Sequence, residues 1–559
     1  MSETVARSDT APPSGGALGL THRQILTILS GLLLGMFLAA LDQMIVGSAM
    51  KTIADQLHGQ TLQAWATTAY LITSTISTPL YGKLSDIYGR KPMYLTAITF
   101  FLAGSLLSGI SGSMYELAAF RGLQGLGAGG LMSLAFAIMA DVIPPRDRSK
   151  YQGYFMAVFG ISSVAGPVVG GFFAGLDSFA GITGWRWVFL VNVPIALVAL
   201  LVVTKVLNIP HKRVNHRVDY WGAAMLIVGL VPLLIVAEQG REWGWDAGRS
   251  IAMYVIGVLG LIAFVFVEFR MKDEALLPMR LFRNSVFSVS NAISFVVGVG
   301  MFGGMVALPL YLQIVKGATP TASGLMLLPL MGGIIVASGT SGALTSKTGR
   351  YKIFPIIGVA AMATGLFLFG QIGTDTPLWH TMLIMGLFGA GMGLCMQTLV
   401  LAIQNGVEPR DIGVATSSST FFRQIGGTAG AAVFLSILFS TVGDKIKDGV
   451  AKVAPTKDFQ LALQDPANHV FAEKFAAMQK GGGDLNDTSF LNGANPTLAR
   501  PFWDGFSSSI DTVFVVGGFV TLAAFVLVWF LKEKPLSTKS GLQLQAEEAA
   551  EAPVIVPAH

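Results

Sequence analysis

The sequence predicts an all-α membrane protein in which about fourteen transmembrane helices form two six-helix bundles with an inserted helix pair. Three observations carry this prediction. Of the 559 residues, 52% are hydrophobic and 12% are charged, and mean hydropathy is +0.62, whereas a soluble domain carries about 25% charged residues. Apolar stretches long enough to cross a bilayer recur along the chain. One sequence pattern also occurs in both halves.

The apolar stretches predict the helix positions, because a spanning helix needs roughly 20 apolar residues. The predicted spans lie near 24–50, 62–82, 93–112, 114–140, 151–175, 186–207, 219–238, 251–269, 285–314, 322–345, 353–372, 379–404, 413–442 and 507–531. The corresponding domains are a disordered cytoplasmic tail (1–23), an N-terminal six-helix bundle (24–207), a linker with two extra helices (208–284), a C-terminal six-helix bundle (285–532) and a second tail (533–559). The last bundle includes an extracellular loop at 443–505, expected to be either a small cap or a flexible tether.

The basic residues cluster in alternate loops, as with Lys83, Arg90 and Lys91 in an early loop and Lys532 and Lys534 near the end. The positive-inside rule therefore predicts a multi-pass protein of the cytoplasmic membrane with both termini in the cytoplasm. The net charge of +5 is interpreted as this topology signal, and nucleic acid is not an expected partner.

The segment 82–92 holds an acid and three cations between two apolar stretches, which predicts a tight turn at a membrane face. A weaker copy at 342–350 repeats Gly, Leu, Gly and Arg at matching places. The glycine-rich stretches 122–129 and 386–393 also resemble each other, and Pro-Arg-Asp follows both at the same offset. These repeats predict two halves of like topology, related by an axis along the membrane normal.

Ionisable groups inside predicted spans each cost about 2.5–3.5 kcal/mol or more, and two of them matter most. Asp42 in the first span and Arg121 in the fourth fall at similar depth in the outer half of the membrane. They are either a proton-sensitive pair, with Asp42 carrying the proton, or a fixed structural salt bridge. Gln124 shares the helix face of Arg121, and Glu116 is either a second proton carrier or a solvated helix end.

The fifth span contains Gly166, Pro167, Gly170 and Gly171. Proline bends a helix and glycine permits close helix approach, which suits a helix on which two bundles rock but also describes ordinary membrane packing. Arg423 is the one clearly embedded charge of the second half, and it is expected either to bond helix carbonyls or to bind an anionic group.

The sequence contains no pattern typical of an enzyme. Cys395 is the single cysteine, which excludes an internal disulfide, and neither a phosphate loop, a zinc-ligand spacing nor a nucleophile elbow occurs. We therefore expect no cofactor, metal or nucleotide. The energy for any transport would come from an ion gradient, in a protein expected to act as a monomer.

The segment 82–92 resembles the loop signature of the major facilitator superfamily, and Arg121 with Gln124 is similar to its fourth-helix motif. The glycines and proline of the fifth span resemble the motif of its exporters. The stretches 41–46, 184–194 and 308–313 are similar to signatures of its fourteen-span drug–proton antiporters.

This resemblance implies an alternating-access exporter that exchanges external protons for a lipophilic drug or a host natural product. It implies proton coupling by Asp42 and Arg121. Within the family, Met44 stands where threonine is usual, and the thirteenth span lacks the acid that some relatives use for cationic drugs. Gln124, Gln313 and Arg423 are candidates for a polar substrate pocket.

The resemblance also implies a cytoplasmic latch built on the segment 82–92. Gly82, Asp86, Gly89 and Arg90 would form it, with Asp141 as a partner. Alternatives to drug export are an exporter of lipid or cell-envelope components on the same scaffold and a non-transporting membrane sensor.

Overall fold

The protein is described by a computed structural model at residues 22–58, 63–208, 219–272, 274–479, 489–491 and 494–537. Most of both predicted tails and the linker segment 209–218 lie outside the described residues. The described part is almost wholly helical, because long apolar stretches in lipid must satisfy their backbone hydrogen bonds internally.

The N-terminal half is a bundle of long helices. It comprises α1 (His22–Gln56), α2 (Gln63–Tyr88), α3 (Arg90–Ile110), α4 (Met114–Val142), α5 (Pro145–Ala174), the short α6 (Trp187–Leu190) and α7 (Asn192–Val206). A two-stranded hairpin, β1 (Ser178–Phe179) and β2 (Ile182–Thr183), lies between α5 and α6. Gly89 separates α2 from α3 at a φ of 99°, a conformation that favours glycine.

The inserted hairpin consists of α8 (Tyr220–Trp243) and α9 (Gly248–Met271). Its two helices approach closely at Gly229, Gly257 and Gly260, where a side chain would overlap the facing helix. Asp219 caps α8 by accepting a hydrogen bond from the Gly222 N–H at 2.7 Å. The hairpin packs against α2 of one half and α15 of the other.

The C-terminal half has the same plan, followed by an extension. It comprises α10 (Ser285–Leu310), α11 (Pro320–Met326), α12 (Leu328–Thr348), α13 (Ile353–Phe369), α14 (Leu378–Gly406), α15 (Ile412–Val453), α16 (Lys457–Gln464), α17 (His469–Gln479) and α18 (Pro496–Trp529). One π-helical turn, Tyr311–Val315, ends α10.

The all-α membrane architecture predicted from the sequence is confirmed, and a helix lies at each of the fourteen predicted positions. In the described residues, twelve helices are long and apolar enough to cross a membrane. The apolar helix α13 is shorter, and the Ser- and Thr-rich α2 is not among the twelve. The count of fourteen spans therefore stays a prediction.

The internal repeat has a direct structural counterpart. Gly125 and Gly129 of α4 lie directly against the α2 backbone, and Gly389 and Gly393 of α14 lie in the same way against α12. Because equivalent glycines of the repeated stretch make the same close approach, α4 packs on α2 in the same way as α14 packs on α12.

The bounds predicted for the extracellular loop, 443–505, differ from those in the structure at both ends. Helix α15 continues to Val453 and α18 begins at Pro496. Ile446, Val450 and Val453 repeat at helical spacing, so the amphipathic pattern extends beyond the membrane-spanning stretch. Phenylalanines of α16, α17 and α18 then form an aromatic cluster, with the rings of Phe471 and Phe502 5.5 Å apart. The described residues form a packed helical cap.

Candidate functional site

Asp42 and Arg121 form an ion pair inside the N-terminal half. The Arg121 Nη1 lies 2.5 Å from the Asp42 Oδ2, and the side chains are 2% and 0% exposed. The depth comparison along α1 and α4 predicted this contact, and the structure brings the two residues together.

The second Asp42 oxygen accepts two further hydrogen bonds. Gln124 Nε2 and Asn192 Nδ2 each donate to the Asp42 Oδ1 at 2.8 Å. Gln124 also accepts from the Arg121 Nη1 at 2.7 Å, and Ser105 of α3 accepts weaker bonds from both amides. One carboxylate therefore joins side chains from α1, α3, α4 and α7.

Helix α2 contributes an aromatic face to the same cluster. The Arg121 guanidinium lies 4.1 Å from the centre of the Tyr70 ring, a geometry that stabilises a cation electrostatically. Gly125 permits this approach, since a side chain there would overlap the Tyr70 backbone. The guanidinium is thus held by a carboxylate, an amide and a ring.

Sequence reasoning missed Asn192 as a partner of Asp42. The residue lies within the predicted span 186–207, and the available signal was an amide inside this apolar stretch. Asn192 is fully buried, and a buried amide requires hydrogen-bond partners.

Glu116 does not join this cluster. Its Oε2 accepts from the Gly112 N–H at 2.8 Å, and its own N–H donates to the Ser113 Oγ at 3.3 Å. This reciprocal arrangement caps the start of α4 at an exposed position. The carboxylate is held at the helix end, and its role as a proton carrier stays a prediction.

The glycines of α5 divide into two kinds. Gly166 and Gly170 lie against α1 at Met44 and Ile45, so closely that a side chain would overlap the α1 backbone. Gly171 has no heavy atom within 4 Å of the place where a side chain would begin, and Pro167 faces Gly324 of α11. Helix α5 therefore touches α1, two residues from Asp42, and also the C-terminal half.

The hinge between α2 and α3 holds a three-residue charge network. Arg90 pairs with Asp86 at 2.6 Å and with Asp141 at 2.7 Å, and all three side chains are largely buried. Gly82 lies against Ser417, and Asp86 and Arg90 lie against Gly413 at the start of α15. The predicted latch residues come together, and they meet the C-terminal half at a helix N-terminus, where a carboxylate is favoured.

Several hydrogen bonds join the two halves near this hinge. Arg148 Nη1 donates to the Gln404 Oε1 at 2.7 Å, Arg146 Nε to the Ser346 carbonyl at 3.0 Å, and Thr78 Oγ1 to the Gln424 Oε1 at 3.3 Å. Arg148 also donates to the carbonyls of Ala140 and Ile143 at the end of α4. The conformer is therefore closed at the hinge end.

A buried acidic group also anchors the inserted hairpin beside the hinge. Glu268 is fully buried, and its Oε2 accepts from the Leu277 N–H at 2.7 Å. Lys83 of α2 interacts electrostatically with Glu268 and Asp86. In the sequence Lys83 is a topology signal, and its proximity to Glu268 depends on residues far along the chain.

The structure does not bring Gln313 and Arg423 to the Asp42 cluster by any contact among the described residues. Gln313 Nε2 lies 3.5 Å from the Ser323 Oγ within the turn after α10. Arg423 is half-buried on α15, where Gly298 of α10 lies against its backbone carbonyl. No acid of the described chain forms an ion pair with Arg423.

Two repeated helical bundles with a buried ion pair and a closing hinge define a multi-pass membrane transporter. The chain belongs to the Major Facilitator Superfamily, whose sequence profile matches residues 32–431.

Its relatives include multidrug transporters. The chain is 35% identical to the multidrug transporter protein MdtP of Bacillus subtilis, over 95% of this chain and 97% of MdtP. It is 31% identical to multidrug resistance protein 3 of the same organism, over 93% and 97% of the two chains. The solved proton:xylose symporter XylE has the same fold, with a TM-score of 0.59 and 16% identity over 94% of this chain and 100% of XylE.

Proposed function

We propose that this protein is a proton-coupled antiporter that exports lipophilic drugs or a host natural product across the cytoplasmic membrane by alternating access. The supporting observation is the fully buried cluster of Asp42, Arg121, Gln124 and Asn192. Charged groups inside a membrane are costly and are retained mostly for function. The multidrug relatives support the substrate class.

Protonation of Asp42 would remove the charge that pairs with Arg121. The Arg121 guanidinium would keep Gln124 and the Tyr70 ring, while the hold of α4 and α7 on α1 weakens. Because Met44 and Ile45 of α1 lie against the α5 glycines, a change at Asp42 would be passed to α5. Helix α5 contacts α12 of the other half, so the proton would bias the relative position of the halves.

We further propose that the hinge end faces the cytoplasm, with both termini there, and that the Arg90 network latches this side. The conformer closed at the hinge would then be the outward-facing one, in which external protons reach Asp42. Opening would break the Arg148–Gln404 bond and separate Gly82 from Ser417. The protein would do this as a monomer, with a small lipophilic substrate and protons as its partners.

Transport in inverted membrane vesicles tests the proposal. A proton gradient is imposed, and a panel of lipophilic compounds is added while a pH-sensitive acridine dye reports the gradient. Compounds that dissipate the gradient only when the protein is present indicate antiport. Asp42→Asn should abolish this response. An unchanged response in the variant would remove Asp42 as the coupling carboxylate, and loss of lipid export on gene deletion, with no compound responding, would favour lipid export.

A further inference from the structure

Two acidic side chains meet at the foot of the inserted hairpin, the end at which α8 begins and α9 ends. Asp219 directly precedes α8, and Glu268 lies in the last turn of α9. The two residues are 1% and 0% exposed. Asp219 Oδ2 and Glu268 Oε1 both lie less than 3.0 Å from the point at which a side chain on Gly222 would begin. The two carboxyl groups therefore converge at Gly222, which has no side chain to separate them.

Each carboxyl group has one oxygen with a partner and one without. Asp219 Oδ1 accepts from the Gly222 N–H at 2.7 Å, and Glu268 Oε2 accepts from the Leu277 N–H at 2.7 Å. The converging oxygens accept no hydrogen bond from the described residues. Buried polar atoms are nearly always paired, and two carboxylates at one site repel each other. A proton on one carboxyl group, donated to the other, would satisfy both oxygens and remove the repulsion.

The groups around the foot favour a proton over a metal ion. Lys83 of α2 acts electrostatically on Glu268 and supplies one positive charge for the two carboxyl groups. Lys83 is shared with the other charged groups that face it, which are Asp86, Arg280 and Asp411, the last two joined by an ion pair. Mg²⁺ and Ca²⁺ need about six or more oxygen ligands. The described part of the foot offers two unpartnered oxygens and already has an ammonium group acting on them.

The foot joins the hairpin to both halves of the protein. One hydrophobic core draws on all three parts, through Ile76 of α2, Leu226 of α8, Leu277 after α9 and Phe287 of α10. Glu268 holds the Leu277 backbone. Lys83 directly follows Gly82, the hinge residue that lies against Ser417 of the C-terminal half. A change of charge at the foot therefore acts where the halves meet.

We propose that Asp219 and Glu268 form a second proton-binding site, in which one shared proton holds the foot of the hairpin closed against both halves. Loss of this proton would leave two negative charges at Gly222, which favours entry of water and separation of the foot. Because carboxyl groups lose protons as pH rises, a higher pH would weaken the foot and release the hinge end. The site is separate from the Asp42 cluster, which is built on α1, α3, α4 and α7. The pair would hold its proton whatever compound the protein transports.

Infrared spectroscopy of the full chain in dodecylmaltoside micelles tests the shared proton. A protonated carboxyl group has a C=O band separate from the bands of carboxylates. At about pH 7, one such band of the wild type should be lost in Asp219→Asn and equally in Glu268→Gln. Both variants keep an oxygen to accept from Gly222 or Leu277, and their amides donate in place of the proton, so the fold is preserved. The matched control is Asp246→Asn, an exposed acid in the turn at the other end of the hairpin, which should keep the band.

The effect on the hinge end is measured by thiol labelling. Ser417→Cys in a Cys395→Ser background places a reporter against Gly82, where it is buried in the closed conformer. At about pH 8, N-ethylmaleimide should label this protein about threefold or more faster than the same protein carrying Asp219→Asn, and at about pH 6 the two rates should agree. Comparing the two proteins at one pH cancels the titration of the thiol itself.

Three results would overturn the proposal. The first is a carboxylic band that survives either Asp219→Asn or Glu268→Gln, and the second is equal labelling at about pH 8. The third is a thermal unfolding midpoint that Na⁺ or Mg²⁺ raises in wild type but not in Asp219→Asn, which would identify a bound cation in place of the proton. Because these measurements use neither a substrate nor a proton gradient, their failure is separate from failure of the vesicle transport assay.

Discussion

The Asp42–Arg121 pair is either a coupling device or a structural brace, and a double-variant cycle separates the two. The single variants Asp42→Asn and Arg121→Gln each leave one buried partner without its counter-charge. The double variant leaves a neutral pair of amides, with Gln124 and Asn192 still beside it. The cycle therefore distinguishes loss of charge balance from loss of the charges themselves.

The magnitudes follow from burial. Removing one partner of a buried ion pair costs about 3–5 kcal/mol. After Asp42→Asn, Arg121 keeps its hydrogen bond to Gln124 and its contact with the Tyr70 ring. We therefore expect the loss of stability in this variant to lie near the lower end of that range. The double variant buries no charge at this place, so only net hydrogen-bond losses of about 1 kcal/mol each remain. We expect it to be about 1–2 kcal/mol less stable than wild type and more stable than either single variant.

Thermal unfolding of purified protein and proton-driven efflux in inverted vesicles are measured on the same four proteins. Coupling by the charges predicts that the double variant regains stability while efflux stays absent in all three variants. Recovery of efflux together with stability would refute the coupling role and leave the pair as a brace. Stability that fell further in the double variant would refute the burial argument itself.

Three further predictions concern single substitutions, and two of them have a matched control position. Gly170→Ala should reduce efflux and lower the free energy of unfolding by about 1–3 kcal/mol through overpacking. Gly171→Ala should be tolerated, since space is free there. Equal effects of the two variants in a vesicle assay would contradict the packing argument. Gly413→Ala would place a methyl group against Asp86 and Arg90 and should favour opening of the hinge end. Cysteines placed at that end should then react faster with a thiol reagent. Gly339→Ala, where space is free, should not change their reactivity. Glu116→Gln should leave proton-coupled efflux within about twofold, because capping needs only an oxygen acceptor; loss of coupling with normal stability would instead identify Glu116 as a carrier.

The sequence was sufficient to predict the helices and the central ion pair. Hydropathy located most helices to within several residues, because lipid imposes the same requirement on every spanning segment; α15 and α18 each extend about 11 residues beyond the predicted span. Asp42 and Arg121 were paired by depth alone, since two costly charges at one level have few alternatives to each other. The equivalence of Gly125 with Gly389 followed from the constant offset of the repeat.

Contacts between distant parts of the chain were not predictable in the same way. Arg148 bonds Gln404 across the halves, and either residue alone is an ordinary polar group at a helix end. Lys83 beside Glu268 depends on how the inserted hairpin docks, which no local pattern specifies. The charged, glycine-containing stretch at 443–505 left a small cap and a flexible tether as alternatives, because Phe471 and Phe502 stabilise the cap helices by tertiary packing that no local pattern shows.

The length of helix α15 would turn a small rotation of the halves into a large movement at its far end. Its 42 residues form a rod about 63 Å long, with the latch contact of Gly413 at one end and the aromatic cap beyond the other. If the halves rock by about 15°, as subunits do in known rigid-body transitions, the far end would sweep roughly 16 Å. The cap would then magnify a small opening at the hinge into a displacement outside the membrane. Paired fluorophores on the cap and on the β1–β2 hairpin would read each turnover as a change in distance.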